Sequence, residues 1–170
     1  MKPVFTRSLL IMALLFSVHA QAEYTVRDLQ VIVRTLSFLE SPFTGEVVLG
    51  IVYDPGNARS RNEAQDILQL IGSGLQMGSV TLKAVLAPIG EVDKARMDII
   101  LLTEFLDNYK PDASVAGLPC ITVDLRQVMA GNCVVGIQST PRVEILVNHA
   151  AAQRSGLKFS SVFRMMIKEI

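Results

Sequence analysis

The chain reads as α/β: a three-layer sandwich with a mostly parallel sheet that ends in a C-terminal antiparallel hairpin. Two observations predict this. Short, nearly continuous apolar runs alternate with amphipathic stretches of helical period, the pattern of strands buried on both faces beneath helices. The last two runs, in contrast, are separated only by Ser139-Thr140-Pro141-Arg142, a connection too short for a parallel crossover.

In chain order, Lys2 and Arg7 precede the apolar run Leu9 to Phe16, and small or polar residues follow up to Ala20-Gln21-Ala22. A charged start, an apolar run too short to span a bilayer and an A-x-A site predict a cleavable secretory signal over residues 1–22. The mature protein then begins at Glu23 and works outside the cytoplasm, and residues 23–170 have the length of one domain. Removing Lys2 and Arg7 from 16 basic and 16 acidic residues leaves 14 against 16, a net charge of −2 that offers nothing to nucleic acid or an anionic membrane.

Val26, Leu29, Ile32, Val33, Leu36 and Leu39 fall at three- and four-residue spacings behind Thr25, a plausible cap, so a helix is predicted from Thr25 to Leu39, stopped by Ser41-Pro42. The run Val47 to Tyr53 is a buried strand, closed by the turn Asp54-Pro55-Gly56-Asn57. Ala64, Ile67, Leu68 and Ile71 share one face of a second helix, from Ala58 to about Leu75, which Gly72 and Gly74 end. Val80 to Leu86 is a strand nearer a sheet edge, Met97 to Thr103 a central one, and Glu104 to Ala116 helical or irregular. Cys120 to Asp124 is a fourth strand with a short helix, Leu125 to Ala130, behind it. Cys133 to Gln138 and Val143 to Asn148 form the hairpin. His149 to Ser155 and Ser160 to Ile170 are predicted terminal helices.

Two cysteines, Cys120 and Cys133, belong to the mature chain. In an oxidising compartment a bridge would close a loop of roughly 14 residues and stabilise by about 3 kcal/mol; the alternative is two buried free thiols. Export favours the bridge. Catalytic chemistry has few candidates. Gly72 to Gly78 is glycine-rich but follows a helix and precedes a strand, the reverse of a phosphate loop. His149 is the one histidine left after processing, so neither a metal site nor a Cys-His pair is expected, and no G-x-S-x-G elbow occurs. No cofactor is expected. Because ligands of parallel sheets sit beyond the carboxyl ends of the strands, Asp54, Asn57, Arg59, Thr103, Glu104 and Asp124 are the candidate pocket residues, although turn and cap chemistry also accounts for them.

With Arg142-Val143-Glu144-Ile145-Leu146-Val147-Asn148 running into His149-Ala150-Ala151-Ala152-Gln153-Arg154-Ser155-Gly156-Leu157-Lys158-Phe159-Ser160-Ser161, the segment from Asn132 to Ile170 resembles the C-terminal block of the YfiR-like family of bacterial periplasmic proteins. There a strand of the type Val-Arg-Phe-Glu-Ile-Asn-Leu leads into Ala-Ala-x-Arg-Ser-Gly-Leu-Lys-Leu-Ser-Ser. Phe38-Leu39-Glu40-Ser41-Pro42 stands where the family has a Phe-x-x-Trp-Pro-like stretch, with Ser41 in place of the tryptophan. The resemblance implies an α/β sandwich, often dimeric, that acts in the periplasm by binding and inhibiting an inner-membrane diguanylate cyclase. It also implies that Cys133 stands where many relatives keep a cysteine.

The hairpin and following helix, Arg142 to Gly156, are therefore the expected partner surface. Val143, Ile145 and Val147 should pack inward and leave Arg142, Glu144, Leu146 and Asn148 outward, with Arg154 nearby, since side chains alternate along a strand. A covered outer face is the competing expectation. The second reading of function is a periplasmic small-ligand receptor, and an unrecognised hydrolase is a distant third.

Overall fold

The computed structural model describes residues 24–93, 96–106, 109–111, 115 and 117–170; the predicted leader, residues 1–22, lies outside them. The first element, α1 (Val26–Leu36), begins in a capping box. The Thr25 hydroxyl accepts the Asp28 N–H at 3.3 Å, and Asp28 Oδ2 accepts the Thr25 N–H at 2.7 Å, so free amides of the first turn are satisfied from both sides. Asp28 also accepts the hydroxyl of buried Ser139, tying the cap to a residue 111 positions away. The helix predicted to reach Leu39 ends at Leu36, and Leu39 instead bridges to Phe159.

The other elements are β1 (Gly45–Tyr53), α2 (Ala58–Ile71), β2 (Leu75–Met77), β3 (Val80–Pro88), β4 (Ile99–Leu102), β5 (Cys120–Thr122), α3 (Leu125–Met129), β6 (Val135–Gln138), β7 (Glu144–Val147), α4 (His149–Arg154), α5 (Ser161–Arg164) and β8 (Lys168–Glu169). They build one sheet in the order β2-β3-β1-β4-β5-β6-β7-β8. Strands β3, β1, β4, β5 and β6 are mutually parallel, β2 runs against β3, and β7 runs against β6 in the expected hairpin.

The helix predicted to run to about Leu75 stops at Ile71, because Gly72 turns the chain with φ 58°, and Leu75–Met77 becomes an edge strand. The helix predicted over Ser160 to Ile170 is a single turn, after which Lys168–Glu169 lies parallel to Leu146–Val147. The stretch from Glu104 holds turns and no helix among the described residues.

Alternation along the strands sorts the core into two layers. Leu49, Ile51, Ile99, Leu101, Ile121 and Ile137 face α1, α2 and the C-terminal segment, whereas Val52, Ile100, Leu102 and Cys120 face α3 and the irregular segments. The chain leaves β1 in one direction along the sheet and returns past it to β4, so crossovers of one hand must fall on opposite faces. The result is a three-layer α/β sandwich. Gly136 lets α3 approach the sheet closely: a Cβ there would lie 2.6 Å from Leu125 Cδ2 and 2.9 Å from Val128 Cγ2.

Candidate functional site

The reversal between β1 and β4 is where a doubly wound sheet opens a crevice at the carboxyl ends of its strands. Asp54, Asn57 and Arg59 follow β1, and Thr103 and Glu104 follow β4, so these five predicted pocket residues do come together. Their polar groups are taken up by neighbouring residues. Asp54 Oδ1 accepts the Gly56 N–H at 2.7 Å, which closes the turn. The Asn57 carbonyl caps α2 at the Arg59 N–H (3.0 Å), and its amide donates across to the Phe105 carbonyl at 3.4 Å. The Arg59 guanidinium lies 5.6 Å from the Phe105 ring centroid. Asp124, one strand further, caps α3 at the Arg126 N–H and holds the Arg126 guanidinium at 2.9 Å.

Three residues the sequence reading passed over complete this network. Ser60 Oγ sits 2.7 Å from Thr103 Oγ1 and accepts the Asp54 N–H at 2.9 Å. The Tyr24 hydroxyl donates to the Leu102 carbonyl at 3.0 Å and accepts the Val123 N–H at 3.2 Å, wedging between the ends of β4 and β5. Glu63 accepts the Glu104 N–H at 2.9 Å through Oε2, and its Oε1 is buried without a partner among the described residues. Burial pushes the Glu63 carboxyl from 4.5 up to about 8, against that hydrogen bond and with the Glu104 and Asp66 carboxylates adding to the rise. Burial likewise raises Tyr24. Glu63 had one sequence signal: it lies four residues before Ile67, on the face that α2 buries.

A more open site lies toward the β7–β8 edge of the sheet. Val31, Arg34, Thr35 and Phe38 of α1 and its end, Arg142 to Ile145 of the hairpin, and Phe163 with Met166 to Lys168 of the C-terminal segment enclose a groove of about 840 Å³. Its far wall is held by aromatic packing. Phe38 stacks on Phe163 with centroids 4.8 Å apart, Phe159 lies 5.2 Å from Phe163, and backbone bonds from Glu40 to Lys158 and from Ser160 to Phe38 fasten the two segments.

The predicted partner residues divide between this groove and other duties. Arg142 and Glu144 are exposed at its rim and paired at 2.7 Å. Val143, expected to pack inward, is 45% exposed at the mouth of the groove, while Ile145 is half-buried and Val147 fully buried. Leu146, expected outward, is buried in the layer beneath α3. Asn148 caps α4 at the Ala151 N–H (2.8 Å) and donates to the Val128 carbonyl at 3.0 Å. Arg154 donates to the Gly131 carbonyl at 2.8 Å and lines a separate cavity of about 210 Å³ beside the cysteines.

Cys120 and Cys133 are joined in a disulfide with Cα atoms 4.9 Å apart. It ties the first residue of β5 to the approach to β6, across the loop that carries α3. Replacing both cysteines by alanine is expected to destabilise by about 3 kcal/mol through the freed unfolded chain. Urea unfolding of variant and parent measures this, and an unchanged midpoint would contradict it.

His149 contacts Gln153 at 2.9 Å on the surface, and no group of three metal-ligating side chains occurs among the described residues. No helix among them is long and apolar enough to cross a membrane. No family model matches the chain, and no curated protein matches it in sequence.

Proposed function

We propose that the protein is a periplasmic regulator, released by cleavage before Glu23, that binds the periplasmic part of an inner-membrane diguanylate cyclase and holds it inactive, lowering cyclic-di-GMP and biofilm formation. It acts by binding, not by catalysis. The observation that carries this reading is the open, mostly apolar groove against the hairpin where the family resemblance is densest, with Arg142 and Glu144 exposed at its rim. Apolar floor and charged rim are the anatomy of a protein-binding surface. The disulfide suits an oxidising compartment.

Glu144→Lys breaks the pair with Arg142 and places two cations at the rim. In cells it is expected to raise cyclic-di-GMP to the level of a strain lacking the gene, while the variant is exported and folded like the parent. Arg154→Glu tests whether the surface extends past the hairpin. If deleting the gene leaves cyclic-di-GMP unchanged under every envelope stress applied, the regulator reading fails. A small-ligand receptor is the second reading, favoured by the groove volume, which lies within the range of small-molecule sites.

A further inference from the structure

The groove combines three properties. Its floor and walls are apolar: Val31, Phe38, Ile145 and Phe163 line it, and Val143 and Met166 stand at its mouth 45% and 60% exposed. Val162, Met165 and Ile170 continue that exposure along the C-terminal segment, a concentration of large apolar side chains that solvated surfaces do not carry without use. Methionine at the mouth adapts its shape to a flexible occupant.

Its rim is cationic. Arg34, Arg142 and Lys168 surround it against one carboxylate, Glu144, which Arg142 already holds. Arg34 and Lys168 have no carboxylate partner among the described residues. Finally, Thr35 lines the groove, 1% exposed, and its buried hydroxyl has no hydrogen-bond partner among the described residues. A buried hydroxyl in that state lacks a group it would normally bond.

From these we infer that the groove binds a free single-chain anionic amphiphile, with its acyl chain along the Val31–Phe38–Phe163 floor and its head group between Arg34 and Lys168. An apolar lining with cations at its rim matches a molecule that is itself an apolar chain with an anionic head.

The inference concerns the isolated protein and does not rest on the cyclase, so its failure would leave the regulator reading standing, and the reverse. Decanoate is the probe, titrated calorimetrically into the processed protein below its micellar concentration. One equivalent is expected to bind and to raise the melting temperature. Butyrate, which has the head without the chain, and decyltrimethylammonium, which has the chain with the opposite charge, should each bind at least ten-fold more weakly.

Arg34→Glu with Lys168→Glu should weaken decanoate at least ten-fold. Both residues are exposed, so the variant should melt with the parent. Val143→Asp, at the mouth, should do the same from the apolar side. Equal binding of the two ten-carbon probes, or decanoate binding indifferent to both variants, would overturn the inference. So would absence of decanoate binding together with co-sedimentation on phosphatidylglycerol vesicles, which would make the groove a membrane-docking face. Saturation of the groove by a cyclase peptide that decanoate fails to displace would assign it to the peptide instead.

Discussion

Replacing Phe163 by alanine is expected to lower stability by about 3–5 kcal/mol, the range for a large aromatic removed from a closed core. Phe163 is 1% exposed, stacked on Phe38 at 4.8 Å and packed on Phe159 at 5.2 Å. It belongs to α5, a four-residue helix that has no stability of its own, so its position rests on this side chain. Losing the ring leaves a cavity between α1 and the C-terminal segment and releases β8, which pairs through only two residues. Urea unfolding should show a lower midpoint with an unchanged slope. A loss under 1 kcal/mol would mean that the segment from Phe159 to Phe163 is held by its backbone bonds and not by the aromatic cluster.

The second large effect is on pH dependence. Glu63 keeps its proton up to about pH 8 in the folded protein because its carboxyl is buried, whereas an ordinary glutamate loses it near 4.5. Between these values the native state binds the extra proton. The contribution of this group is therefore fully present below pH 4.5, declines as pH rises through the window, and is lost above about 8. At about 1.4 kcal/mol per tenfold change in proton affinity, the whole window amounts to on the order of 5 kcal/mol.

Glu63→Gln keeps an acceptor for the Glu104 N–H and cannot ionise. The variant is expected to match the parent at pH 5, to exceed it at pH 8.5, and to remove most of the decline between them. Unfolding free energies at the two pH values measure this. Parallel pH profiles for parent and variant would show that Glu63 ionises in place without cost.

The elements legible in the sequence are those whose signals are local. The apolar run of β1, the helical spacing after Thr25, Asn57 before α2 and the four-residue connection of the hairpin each announce themselves within a dozen residues. Strands β2 and β8 do not. Lys168–Glu169 is two polar residues inside a stretch where Val162, Phe163, Met166, Ile167 and Ile170 have helical spacing, and they form a strand only because β7 offers an edge.

The sites divide the same way. That polar residues would gather after β1 and β4 follows from the behaviour of parallel sheets, and five of the six named residues do so. That Tyr24 would reach Leu102 across 78 positions, or Glu63 reach Glu104 across 41, follows from no local pattern. The outward face expected of the hairpin failed at Leu146 because α3 covers it, and alternation along a strand says which residues share a face but not what lies on it. The groove is drawn from residues 31–38, 142–145 and 163–168, so it exists only once the fold is complete.

That dependence gives the first helix an unusual schedule. α1 packs on β6 and is fastened at its end to Lys158, Phe159, Ser160 and Phe163, partners that emerge from the ribosome more than a hundred residues after it. At 5–20 residues per second the interval is on the order of ten seconds, throughout which the end of α1 lacks the partners that fasten it in the finished fold. A topology so dominated by distant pairings folds slowly once complete. The packing of the first helix is thus completed by segments made long after it.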